Sequence, residues 1–251
     1  QRQMCIRDRP RHARQRSITD IYHVMLRGID RTVIFLENDD RQMFLNLLRQ
    51  QASPEFKIYC YCLMTNHIHL ILESQKLSKY MHHLATGYAL WFNHKYARRG
   101  YLYQDRFKSE AIENESYLLQ CFRYILQNPI KAGVCDNAHE YQWSSYNSYF
   151  SSANTFVYTN FLNLFFTTPK DFETYIATEC SIKCIDIEDN TKMSYDLIRK
   201  IFKHKLKGRK ITDLSKTESR QIVKELKKET RASLRLLSLI TGMSIGVIRY
   251  L

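Results

Sequence analysis

Two short stretches of the chain hold residue types that could together transfer a phosphoryl group. The first is NHIHLIL, Asn66 to Leu72. Side chains alternate faces along an extended strand, so His67 and His69 point one way while Ile68 and Leu70 point the other. Imidazoles about 6.5–7 Å apart along a strand can converge on one divalent ion. Two ligands do not complete a site, so a third must come from elsewhere. The same spacing also suits two structural histidines on a half-exposed strand.

The second stretch is CFRYILQNPIKAG, Cys121 to Gly133. Tyr124 and Asn128 are four apart and therefore stack on one helical face, just ahead of Pro129, which is expected to end the helix. A helix end beside the His-x-His strand could give the Asn128 carbonyl oxygen to the metal and aim Tyr124 at a bound phosphate. A phenol can act as a covalent nucleophile that splits one strand break into two reversible transfers. Its ordinary pKa of about 10 means that it needs help losing its proton. Spacing alone also allows Tyr124 to be a packing residue, one of 17 tyrosines.

These residues need a scaffold, and the hydrophobic pattern supplies one. Strands are expected at Ile21–Leu26, Lys57–Met64 and His67–Glu73, and a strand or hairpin arm at Tyr101–Ile112. Helices are expected at Asp39–Gln51, Leu77–Tyr96 and Glu115–Gln127. The order suggests an α+β fold, a ferredoxin-like antiparallel sheet with packed helices, spanning residues 17–150. His23, on the first strand, is expected to make a structural hydrogen bond rather than to bind metal. Trp143 reads as a core anchor. Residues 151–212 read as a helical connector, with helix candidates at Asp171–Thr178 and Tyr195–Lys207.

The last residues, 213–251, look like a separate all-α unit. Glu218–Glu229 is a helix candidate, and Ser233–Leu251 has helix-turn-helix spacing. Leu237 and Ser238 allow close packing, Gly242 permits the turn, Ser244 starts the second helix, and Ile248 and Leu251 anchor it. Any helical hairpin with a glycine turn would share that pattern. Ser244 and Arg249 are its candidate DNA contacts.

Five runs in order resemble the one-tyrosine HUH single-strand transposases: YHVMLRGIDR from Tyr22, YCLMTNHIHLIL from Tyr61, GYLYQDRFKSEAI from Gly100, YLLQCFRYILQNPIKAGV from Tyr117 and YQWSSYNSY from Tyr141. They are most similar to the branch associated with repetitive extragenic palindromes. The resemblance covers about residues 18–150. It implies Mg²⁺ or Mn²⁺, a 5′-phosphotyrosine intermediate that leaves a free 3′-hydroxyl, and hairpins or palindromic repeats in single-stranded DNA as partners. His67 and His69 match its metal pair, Tyr124 its nucleophile and Asn128 its helix-borne ligand. Related insertion-sequence enzymes usually carry Gln at that last position, and Asn is shorter. Both monomers and homodimers occur among such enzymes.

Composition agrees with a polyanion partner. Lys and Arg number 38 against 25 Asp and Glu, a net charge of +13. From Arg199 to Arg235, 14 basic residues face 4 acidic ones, or +10 locally. Arg27, Arg31, Arg106, Lys108 and Lys131 are candidate phosphate contacts, and each is equally a candidate for a solvated surface charge. Tyr101, Tyr103 and Phe107 could stack on unpaired bases or pack in the core. Seven cysteines with no C-x-x-C pair argue against a disulfide framework or zinc ribbon and suit a reducing cytoplasm. No apolar run is long enough to span a membrane. Residues 1–16 form a basic tail, of which residues 1–9 look foreign to the natural chain. A catalytically silent DNA-binding regulator is the competing function. A barrel metallohydrolase is disfavoured by the short catalytic region and the element order.

Overall fold

The computed structural model describes residues 14–149, 155–180, 184, 195–230 and 232–251. The expectation that residues 1–9 are foreign lies outside them.

Four strands form one sheet: β1 (Ile21–Arg27), β2 (Lys57–Leu63), β3 (His67–Glu73) and β4 (Lys108–Ala111). Their order is β2-β3-β1-β4, and every neighbouring pair is antiparallel. With α1 (Asn38–Gln51) between β1 and β2, and α2 (Leu77–Lys95) between β3 and β4, this is the βαββαβ order and an α+β fold. Alternation along the strands sorts the core into two layers. Val24, Leu26, Ile68, Leu70 and Leu72 pack under α1 and α2. Cys60, Cys62 and Ile71 face the other way, against α3 (Glu115–Lys131).

Two expectations need correction. The Tyr101–Ile112 arm is a strand only at Lys108–Ala111. Before it the chain meets the sheet through the single Gly28–Tyr103 bridge, and Leu102 and Phe107 turn into the core five residues apart, which strand alternation cannot satisfy. Pro129 does not end α3, which runs on to Lys131. Pro129 costs the helix only the bond to the Ile125 carbonyl, and the ladder resumes beyond it, where the Ala132 N–H donates to the Asn128 carbonyl at 2.9 Å and the Val134 N–H to the Pro129 carbonyl at 2.9 Å. Gly133, at a left-handed φ of 67°, follows the C-cap residue Ala132 and ends the helix.

After the sheet domain the chain divides. α4 (Pro169–Ala177) packs on α3 through Phe172 and Ile176. α5 (Tyr195–Leu206) instead joins α6 (Lys216–Thr230), α7 (Leu234–Thr241) and α8 (Ile245–Arg249) around Ile198, Phe202, Val223, Leu237 and Ile248. Gly242 takes a left-handed φ of 72° between α7 and α8, and Ser238 Oγ donates to the Met243 carbonyl across the turn. Among the described residues no helix is long and apolar enough to cross a membrane.

Candidate active site

The site is assembled from the two central strands and one helix. β1 and β3 each pair on both sides, so side chains on them are held by ladders to either edge. His67 and His69 project to the α3 side, their ring centroids 5.1 Å apart and their planes at 88°. Tyr124 of α3 comes down on the same face. Its ring centre lies 5.7 Å from that of His69 and 6.2 Å from that of His23. The structure therefore brings the imidazole pair and the phenol to one place, from positions 55 and 57 residues apart in sequence.

Hydrogen bonds orient both imidazoles. His67 Nδ1 lies 2.7 Å from Asn66 Oδ1. An amide oxygen only accepts, so His67 carries its proton on Nδ1 and keeps the lone pair on Nε2. His69 Nδ1 lies 2.9 Å from His23 Nε2. When His69 donates there, its Nε2 also presents a lone pair. That Nε2 is buried with no hydrogen-bond partner. A nitrogen left bare in the core costs free energy unless something binds it.

His69 is 0% exposed. Burial, first, then the charges of His67, His23 and Arg27, drives its pKa well below the usual histidine range. The ring therefore stays neutral, which is the form that binds a metal ion. Two neutral imidazoles with Nε2 lone pairs suit a divalent ion. Magnesium and manganese also ask for oxygen donors.

Asn128 lies one turn beyond Tyr124 and is buried. Its Nδ2 donates to the Tyr124 carbonyl at 3.1 Å, which leaves Oδ1 as the atom that could serve an ion. Lys131 is exposed, and its ammonium lies 5.0 Å from the centre of the Tyr124 ring. Tyr124 itself is 6% exposed. The pocket thus meets solvent at half-buried His67 and at Lys131, with Tyr124 and His69 beneath.

The other candidates scatter. Arg27 is buried and sits opposite His67 in the β1–β3 ladder, where it acts on the histidines rather than on a surface. Arg31 is half-buried in a tight turn after β1, at a left-handed φ of 59°. Gly28 opens that turn, and a Cβ there would meet the Thr32 carbonyl oxygen at 2.1 Å. Arg106 and Lys108 are exposed beside β4. Ser244 is exposed and caps α8 by accepting from the Val247 N–H, and Arg249 is exposed in the last turn. Phe107 packs in the core and Tyr103 packs against it, whereas Tyr101 is 85% exposed and open to stacking. Trp143 is half-buried, and its carbonyl accepts from the Leu63 N–H to extend the sheet edge.

Sequence reading pointed to the hydrogen bond that His23 makes with His69. It had missed Asn66, although that residue directly precedes His67. It had also missed the approach of Cys121 and Cys184 to His23.

Residues 18–128 match the family model described as transposase, IS200 like. The matched span includes both histidines, Tyr124 and Asn128. A solved structure described as a REP-associated tyrosine transposase bound to a REP hairpin is 17% identical. The alignment covers 60% of this chain and 91% of that one, with a TM-score of 0.47. No curated protein matches this chain.

Proposed function

From the match of residues 18–128 to the IS200-like transposases, we propose that this chain cleaves and rejoins single-stranded DNA at hairpins, with Tyr124 as the nucleophile. One observation carries the reading: the phenol and the two oriented imidazoles lie on one face of the sheet, with ring centres under 6 Å apart for Tyr124 and His69. His67 Nε2, His69 Nε2 and Asn128 Oδ1 would hold Mg²⁺ or Mn²⁺. When bound, such an ion polarises the scissile phosphate and balances charge in the transition state.

The chain's own groups do the rest. Tyr124 Oη attacks phosphorus and loses its proton. The bond from phosphorus to the 3′-oxygen breaks, and that oxygen leaves as a 3′-hydroxyl after gaining a proton. The product is a 5′-phosphotyrosine, and the reverse attack by a 3′-hydroxyl rejoins the strand. Lys131, beside the phenol, and Arg106 and Lys108 supply positive charge for the DNA backbone. The basic α5–α8 bundle adds a second surface for DNA, with α7 and α8 as its helical hairpin.

Tyr124 is 6% exposed, so an outward turn of its side chain would open the phenol to a bound strand. This burial also favours the second reading, a catalytically silent regulator that binds DNA through α7–α8. Incubation with a single-stranded hairpin oligonucleotide and Mn²⁺ separates the two. A covalent adduct on Tyr124 supports transfer chemistry. DNA binding with no adduct, with or without metal, supports the regulator.

A further inference from the structure

A second cluster lies behind the histidine pair. His23 from β1, Cys121 from α3 and Cys184, after α4, are all buried, and their ligand atoms lie within 4.8 Å of one another. The two sulfurs are 3.7 Å apart. Thiolates bound to one tetrahedral ion at about 2.3 Å would stand about 3.8 Å apart, so the pair is already spaced for ligation. His23 Nε2 is taken by His69, and its buried Nδ1 is turned toward Cys184, on whose thiol it acts. Glu110 faces His23 across the β1–β4 ladder, and its charge acts on both thiols.

Two sulfurs and an imidazole select soft or borderline ions and discriminate against magnesium. We propose that His23, Cys121 and Cys184 form a site for a zinc-class ion, and that filling it switches off the His67–His69 site through the His23–His69 hydrogen bond. The first half stands on the cluster alone; the second rests on the function proposed above.

The switch follows from where protons can sit. An ion on His23 Nδ1 takes that lone pair, so the neutral ring must carry its proton on Nε2. His23 then donates to His69 Nδ1. His69 must in turn hold its own proton on Nε2, the atom that a magnesium-class ion would need. Binding at the soft site also releases the thiol protons. The two ions thus demand opposite directions of one hydrogen bond, and each weakens the other by the same factor.

The test is a Co²⁺ titration of the reduced, metal-free full chain, followed by absorption. One equivalent should give sulfur-to-cobalt charge transfer and tetrahedral cobalt bands. Cys184→Ser should lose them, while Cys180→Ser and His67→Ala should keep them. Circular dichroism checks that each variant is folded, and Cys121→Ser serves as the second variant. A folded wild-type chain without the charge-transfer signal overturns the site. For the switch, Mn²⁺ affinity is measured by the paramagnetic signal of the free ion, with and without one equivalent of Zn²⁺. Zinc should weaken Mn²⁺ binding by about tenfold or more in the wild type and far less in Cys184→Ser. Equal weakening in both would mean direct competition at His67–His69 and would overturn the switch. A metal-free chain that binds no Mn²⁺ refutes the His67–His69 assignment, while the cobalt signal still decides the soft site.

Discussion

Removing the His23 ring tests how the structure prepares His69. His23 Nε2 and His69 Nδ1 share a 2.9 Å hydrogen bond, and both rings are 0% exposed. In His23→Ala the His69 Nδ1–H loses its acceptor in a dry environment. A buried donor left unmade costs about 1–3 kcal/mol, so His69 is driven to move its proton or turn its ring. Either response spoils the Nε2 lone pair. Loss of an orienting partner weakens metal binding by about 10–100-fold, or about 1.4–2.7 kcal/mol. His23→Gln places an amide oxygen near the position of Nε2 and should restore most of that loss. Mn²⁺ titration of folded wild type, His23→Ala and His23→Gln reads the ratio directly. Affinity in His23→Ala within about twofold of wild type would refute the reasoning. So would a Gln variant as weak as the Ala variant, because then the ring's bulk and not its acceptor would matter.

Tyr124→Phe should abolish the covalent adduct with hairpin DNA while leaving hairpin affinity within about threefold, read by gel shift; adduct in that variant would reassign the nucleophile. Acid should weaken the fold through His69, whose folded pKa is held well below the ordinary value while the unfolded chain protonates near 6.5. The unfolded state then binds more protons below about pH 6.5, so this contribution is intact above that pH and is lost as pH falls toward the folded value. Urea midpoints should fall between pH 7 and 5 more steeply in wild type than in His69→Gln, and parallel curves would contradict the assignment. Gly242→Ala should lower the stability of the C-terminal helices by about 1 kcal/mol or more, because φ is 72° there; thermal melts of a 195–251 fragment would show it, and an unshifted melt would mean that the turn relaxes.

What the sequence revealed and what it hid divide along physical lines. β1, β2 and β3 were legible because their alternation reports a real difference between two apolar layers, one under α1 and α2 and one under α3. Helix starts came within a few residues because the apolar period of a helix differs from that of a strand. The stretch before β4 misled, since Leu102 and Phe107 are buried by tertiary contact and not by strand periodicity. Pro129 misled because a proline signal does not say whether the helix has one more turn to finish. His67, His69 and Tyr124 were found through motif spacing, but the closure of the pocket was not, because exposure depends on what packs over a residue. Cys121 and Cys184 are 63 residues apart and share no pattern, so only folding brings them together.

The burial that would suit His69 to a metal ion also bears on which part of the proposed site can move. A neutral, dry imidazole needs the shielding that excludes a phosphate. His23 and His69 are paired on both sides and His67 is paired with Arg27, so the strand backbone at these positions cannot move outward without breaking sheet hydrogen bonds. Tyr124 stands on the helix and not in the sheet: it rests edge-on against His69, two turns before the end of α3, and Lys131 in the last turn is already in solvent. Opening therefore falls to the tyrosine side chain and the end of α3. A covalent crosslink that pins the end of α3 to β2 should then suppress adduct formation while leaving Mn²⁺ affinity unchanged. Loss of both together would place the moving part in the sheet, against its hydrogen bonding.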